Sequence, residues 1–287
     1  MKLAQKLEKD ITKAVGAKKY ISVALDDQPW GVRCTYRANS QNDTASLVKP
    51  TILAALMHAE QGKLTGAQKA LASKMIIDSD NDSAGALWKD LSDMTDPAKP
   101  NTSEFSSFLA TAGMSGTVPD KDGTSWGLTQ TTAADQLRLL DVLTGKDSTV
   151  LNPQERAYEL GLMRAVRPDQ RWGSTAGAPA AALTAVKNGW LQRSENGPDN
   201  DFDRLDWKVN SMSAVTGGHG PRRYQSNLVV LTEDNRVSRR KNPFYGFKPA
   251  VAKIQQVATA VNRDLYPSPL RGGRYMPPPV EPSQAND

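Results

Sequence analysis

A change of texture near residue 181 decides what this chain can become. After it, "AALTAVKNGWL", "LDWKVNSMSAVTG" and "RRYQSNLVVLTED" read as three successive strands joined by polar, Gly-rich connections. Two more β-rich runs, "KYISVAL" and "WGVRCTY", lie near the N-terminus, bridged by "DDQP" as in a hairpin. Strands at both ends of a chain with helices between them predict one five-stranded antiparallel sheet assembled from both ends. The expected class is α+β, with the terminal helices on one face of the sheet and a helical middle on the other face and beside it.

The helices follow from spacing and caps. Leu3, Leu7, Ile11 and Val15 recur at every fourth position and predict a helix over 3–15. A helix is expected over about 46–60, and "TGAQKALASKMII" opens on a Thr able to cap the next. "NDSAGALWKDL" follows a polar cluster, and "TSEFSSFLATAG" ends at a Gly. "TTAADQLRLLDVLTG" and "NPQERAYELGLMRAV" are two more capped, periodic segments, and a last amphipathic helix is expected over roughly 247–264. The expected organisation is a single domain over 1–265, with its sheet part in 1–45 and 175–265 and its helical part in 46–174. The last stretch, 266–287, holds six prolines and almost nothing to bury, and is expected to be a disordered tail.

At 287 residues the chain can bury a full core. A net charge of +5 is modest, because 36 basic residues are interspersed with 31 acidic ones. The basic cluster "RVSRRK", 236–241, lacks interleaved aromatic residues and reads as a solvated turn, so no nucleic acid partner is expected. No apolar run is long enough to span a bilayer, and "MKLAQKLEKDITKAV" mixes charges through its apolar positions where an export signal would separate them. Two compartments stay open: cytoplasmic if Met1 is the native start, extracytoplasmic if an export signal was removed. Cys34, the single cysteine, has no partner for an internal disulfide and reads as a small buried strand residue.

The stretch "TASLVKPTILAAL", 44–56, sets Ser46 three residues before Lys49 at the mouth of an apolar helix. Either the pair is the surface side of an amphipathic start, or it is a nucleophile and its base. A serine hydroxyl needs a base within hydrogen-bond reach, and this spacing puts both side chains on one helix face. A lysine serves as that base only if burial or a second cation lowers its pKa. The spacing alone is weak, since "SRRK", Ser238 to Lys241, repeats it in a charged turn. Pro50 has no N–H to give the Ser46 carbonyl, so the helix is expected to begin very close to Ser46 or to kink there.

Two further features accompany it. Ser79, Asp80 and Asn81 close one helix and open the next; they read as a capped connection, or as a proton relay and a substrate anchor. In "AVKNGWL", Lys187 and Gly189 interrupt an apolar strand, and a glycine there often marks close approach of a ligand or another backbone. "KDG" at 121–123 shows that this triplet, too, is weak alone.

In this order, Ser-x-x-Lys, Ser-Asp-Asn and Lys-x-Gly form the motif set of the serine β-lactamase and penicillin-binding-protein superfamily. The chain resembles that superfamily over roughly 3–264, and within it the class A β-lactamase-related serine hydrolases. The resemblance implies an acylated Ser46, Lys49 as base or proton shuttle, Ser79 as relay and Asn81 as anchor. It makes Lys187 the cation for a substrate carboxylate, and the N–H groups of Ser46 and Trp190 the oxyanion hole. The substrate-binding strand would be Asn188, Gly189 and Trp190.

Three departures from the family pattern bear on function. Asn188 replaces the usual Thr or Ser of the third motif, with an amide expected to donate to the anion. Ser79 follows Ser46 by only 33 residues, which implies a trimmed helical part. The Glu-x-x-Leu-Asn segment that activates water in class A enzymes is absent from "GMSGTVPDKDGTSWGLTQTTAADQ", where Asp120 and Asp122 are the nearby carboxylates. The expectation is intact acylation with poor β-lactam turnover, by a hydrolase acting on an amide or ester such as a β-lactam or a D-Ala-D-Ala-type peptide. The alternatives are an acyltransferase using the same acyl-enzyme, and a non-catalytic module binding a β-lactam or a cell-wall peptide.

No cofactor or metal is expected. Asp199, Asp201 and Asp203 alternate as in a calcium loop, but Arg204 and Asn210 occupy the sixth and twelfth places. His58 and His219 have no Gly-x-Ser-x-Gly elbow to serve. The expected partner is a small-molecule or peptide acyl donor bearing a carboxylate; oligomeric state is not readable.

Overall fold

The computed structural model describes residues 2–16, 20–91, 103–120, 123, 125–145, 149–192, 206–218, 223–235 and 246–267. The strands are β1 (Ile21–Asp27), β2 (Val32–Tyr36), β5 (Leu183–Gln192), β6 (Trp207–Gly217) and β7 (Tyr224–Thr232). They form one antiparallel sheet in the order β2-β1-β7-β6-β5, so the two N-terminal strands join the three C-terminal ones through β1 and β7. A short pair, β3 (Asn42–Asp43) with β4 (Gln130–Thr131), lies apart from it and was not foreseen, because two residues carry no periodicity. Around the sheet are α1 (Leu3–Val15), α2 (Lys49–Ala59), α3 (Gly66–Ile77), α4 (Asn81–Leu91), α5 (Ser103–Thr111), α6 (Ala133–Thr144), α7 (Pro153–Arg164) and α8 (Phe247–Leu265). The expected α+β architecture is the one observed.

Strand alternation divides the interior into two cores. Ile21, Val23 and Leu25 of β1, Val209 and Val215 of β6, and Leu228 and Val230 of β7 face Leu7, Ile11, Ile254 and Val257 of α1 and α8. Ala24, Met212, Ala214, Val229 and Leu231, the intervening positions, face the helical middle. A two-residue period sends alternate side chains to opposite faces, so a sheet covered on both sides reads as near-continuous apolar runs. That is the pattern of "SNLVVLT". The terminal helices are further tied by Lys6 and Arg263, which pair with Asp264 and Asp10.

The caps behave as their chemistry requires. Thr65 and Gln68 form a reciprocal capping box at α3, as Asn152 and Glu155 do at α7, while Thr132 accepts from the Asp135 N–H at α6. The first hairpin differs from expectation: β1 runs through Asp27, and the chain reverses over Gln28–Gly31. Asp27 Oδ1 accepts the Trp30 N–H at 2.9 Å and Gly31 takes φ 57°, which closes the turn two residues later than the "DDQP" signal. Cys34 is buried, with its Sγ 3.8 Å from the Ala4 carbonyl oxygen. Tyr266, assigned to the tail by its sequence, is instead packed: its ring meets Tyr224 edge-on and its hydroxyl donates to Ser226 at 2.8 Å. The rest of that tail from 268 onward, the "SRRK" cluster, Asp199–Asp203 and His219 lie outside the described residues.

Candidate active site

The helix expected from residue 46 starts in two steps. Ala45–Val48 form a 3-10 turn, and the α-helix begins at Lys49 with Pro50 in its first turn. The Ser46 carbonyl accepts the Lys49 N–H in place of a bond Pro50 cannot supply. Proline therefore shortens the first turn and does not kink the helix. The turn is held from two sides: Asn210 Nδ2 of β6 donates to the carbonyls of Asp43 at 2.7 Å and Thr44 at 3.3 Å, and the Thr44 N–H donates to the Thr129 carbonyl at 2.9 Å.

From 42 to 57 every residue is buried except Ser46, which is part-exposed. One serine thus stays accessible in a run otherwise sealed in the core. Lys49 is 0 % exposed, and its Nζ donates to the Ser79 carbonyl at 2.5 Å, Asn81 Oδ1 at 2.8 Å and Ser79 Oγ at 3.2 Å. The ring of Trp126, from a 3-10 turn over Trp126–Leu128, lies 4.8 Å from the same nitrogen.

Ser79 sits between α3 and α4 with φ 58°, a left-handed conformation uncommon for a residue with a Cβ. The side chains of Ser79, Asp80 and Asn81 divide between two neighbours. Asp80 is the cap, its Oδ1 accepting the Ser83 N–H at 2.7 Å, and those bonds from Ser83 lead in holding its carboxyl below the usual range. Ser79 and Asn81 are turned to Lys49.

From β5, Lys187 reaches the same hydroxyl: its Nζ is 2.9 Å from Ser79 Oγ and 2.9 Å from the Asn188 carbonyl oxygen. Two buried lysines therefore share one serine. Burial pushes Lys49 down to about 6, with the neighbouring Lys187 adding to the effect and Asp80 opposing it. Burial alone brings Lys187 to about 7. An amine in this condition can give up its proton near neutral pH, as a general base requires.

Gly189 is fixed by space. A Cβ there would lie 2.4 Å from the Leu47 nitrogen, 2.7 Å from the Thr44 carbonyl oxygen and 2.9 Å from the Ser46 nitrogen. The close approach expected of this glycine is that of the Ser46 turn itself. Trp190 is half-buried, its ring 5.7 Å from both Trp172 and Phe247 on the terminal-helix side. Asn188 departs from expectation: it is 0 % exposed, and its amide donates to the carbonyls of Gln170 at 2.8 Å and Trp172 at 3.0 Å. Both amide hydrogens expected to meet a substrate anion are committed to the preceding loop.

Asp120 lies in a turn where its carbonyl accepts the Gly123 N–H at 2.8 Å, and Asp122 lies outside the described residues. Trp126 escapes a reading of the sequence, since one aromatic residue in "TSWGL" carries no spacing signal. Among the described residues no His, Cys, Asp and Glu group could hold a metal ion, and no helix is long and apolar enough to cross a membrane.

A sequence model of a family described as the "Beta-lactamase enzyme family" matches residues 67–202. A β-lactamase from Xanthomonas campestris pv. campestris is similar at TM-score 0.65 and 18% identity, over 92% of this chain and 99% of that one. A class A β-lactamase representative from Bacteroides cellulosilyticus superposes at TM-score 0.68 with 14% identity, over 93% and 100% of the two chains. A β-lactamase from Streptosporangium roseum gives 0.64 and 18%, over 91% and 98%. No curated protein matches the sequence. The chain has the class A β-lactamase fold. The partial sequence match and the shared fold are both with β-lactamases.

Proposed function

We propose that this chain opens an amide or ester bond through an acyl-Ser46 intermediate. In this reading Lys49, uncharged, takes the Ser46 proton as Oγ attacks the substrate carbonyl. The backbone N–H groups of Ser46 and Trp190 face the oxyanion that forms. When the tetrahedral species collapses, the leaving amine or alcohol is protonated through Ser79, whose hydroxyl is bonded to both lysines. Asn81 holds Lys49, and the ammonium of Lys187 attracts a carboxylate on the acyl donor. A second nucleophile, water or another hydroxyl or amine, then takes the acyl group and returns Ser46 to its free form.

The observation that carries the reading is the meeting of Lys49 and Lys187 on the Ser79 hydroxyl, behind the one accessible residue of a buried run. A buried amine brought to about 6 and bonded to the Ser79 hydroxyl favours this reading over a binding module. The Trp126 ring lies 4.8 Å from Lys49 Nζ, and the sequence between the second and third motifs carries no Glu-x-x-Leu-Asn segment, so we expect acylation to outrun hydrolysis.

Intact-protein mass after incubation with a reactive penicillin tests this. A mass gain lost in Ser46→Ala and persisting over time supports the acyl-enzyme with slow release. Rapid clearance would reject the slow step, and clearance hastened by an added amine would identify acyl transfer. No gain with penicillins or with activated esters would sink the nucleophile assignment in favour of a binding module.

A further inference from the structure

We propose that Trp126 is a positioning residue for Lys49: its ring covers the flank of the amine left by the polar partners and keeps bulk water away from it. This rests on the acyl-Ser46 reading for its consequence, though not for its geometry. The three donors of a lysine ammonium are matched by Ser79 O, Ser79 Oγ and Asn81 Oδ1, and the ring centroid stands 4.8 Å from the same nitrogen. Lys49 is fully buried, whereas Trp126 is only half-buried and packs against the helical-side core. The ring is thus a wall with one side toward the amine and part of its surface in solvent.

The wall is fastened to the nucleophile's own support. Thr44, two residues before Ser46, donates its N–H to the Thr129 carbonyl at 2.9 Å and its hydroxyl to the Gly127 carbonyl at 3.4 Å. A Cβ on Gly127 would come within 4.0 Å of the Ala45 Cα. The turn that carries the ring and the turn that carries Ser46 are therefore joined through their backbones.

Two effects of the ring on Lys49 oppose each other. Its quadrupole favours the ammonium. Its exclusion of water disfavours the ammonium, adding to the burial that is the first cause of the lowering at Lys49. In this proposal exclusion is the larger of the two. Lys187 from β5 and Asp80 from the α3–α4 turn act on the same amine, the first lowering and the second raising its proton affinity, and both stay in place when the ring is removed. Removing the ring is therefore expected to raise the proton affinity of Lys49 and to admit water beside an acyl group on Ser46.

The test is a 13C-lysine NMR titration of the whole chain, with the Lys49 signal assigned by its loss in Lys49→Met. Trp126→Ala should move the Lys49 midpoint upward by roughly tenfold in proton affinity, while Trp126→Phe, which keeps an apolar ring, should stay with the wild type. A midpoint in Trp126→Ala equal to or below wild type overturns the proposal, as does a Trp126→Phe shift as large as that of alanine. Should alanine fail to fold, Trp126→Gln keeps bulk but draws water in, and the same upward shift is expected. Penicillin-adduct lifetimes then read the consequence, shorter in the alanine variant and unchanged in phenylalanine. A wild type that forms no Ser46 adduct rejects the proposed reaction, yet the titration still decides the role of Trp126.

Discussion

At the scale of single residues, the cost of burying ionisable groups separates function from packing. Lys187 is one of two causes that lower Lys49, so Lys187→Met should raise the proton affinity of Lys49. The acid limb of the acylation rate, measured against pH, should then move to higher pH; an unmoved limb would show that Lys187 does not act on the base. Glu159 of α7 is a contrasting case, 0 % exposed, with burial holding its carboxyl well above the usual range. Neither carboxyl oxygen has a hydrogen-bond partner among the described residues. A carboxyl whose folded value is raised contributes its full stability below the unfolded value near 4.5 and loses it as pH rises toward the folded value. Glu159→Met is therefore expected to raise the melting temperature at pH 8 and to give a smaller gain at pH 4.5, with each kcal/mol worth roughly 2–4 °C in a chain of this size. Equal gains at the two values would assign the effect to packing. The sequence made Ser46, Lys49, Ser79, Asn81 and Lys187 legible because their order and spacing are properties of the chain. It could not reveal that Asn188 is turned to Gln170 and Trp172, because which carbonyls lie behind a strand is settled only by packing.

At the scale of elements, the site depends on β5 lying against the 3-10 turn. Gly189→Ala would place a methyl group 2.4 Å from the Leu47 nitrogen, and backbone cannot yield there as a flexible side chain would. The strand and the Ser46 turn must separate by a fraction of an ångström to about 1 Å. Misplacement on that scale costs on the order of 100-fold in rate. Gly189→Ala should keep its circular dichroism while losing most acylation, and an unchanged rate would show that the turn tolerates displacement. Element boundaries were legible wherever a cap announced them, as at Thr65, Thr132 and Asn152. The entry into α2 was half legible: Pro50 signalled an irregular start, but whether a 3-10 turn or a kink resolves it depends on what Asn210 and Thr129 grip from outside.

At the scale of the whole molecule, the sheet insulates the two cores from each other. Ile254 of α8 packs among the terminal helices, on the face opposite the helical middle. Ile254→Ala should lower stability by about 2–5 kcal/mol, measured by denaturant titration, while the acylation rate at low temperature stays at the wild-type value. A rate that falls in step with stability would mean that the two faces are coupled through the strands. The joining of β1 to β7 also sets a constraint in time. Leu25 pairs with Leu228 and Asp27 with Ser226, so the centre of the sheet is stitched from residues some 200 positions apart. On a ribosome adding about 5–20 residues per second, β1 and β2 wait roughly 10–40 s for the strand that completes them. Through that interval the N-terminal hairpin presents an unpaired apolar edge, and Ser46 stands on a turn whose grips from β5 and β6 have yet to be made. That edge stays open until the last strand arrives, and under the proposed reaction acylation of Ser46 waits for it.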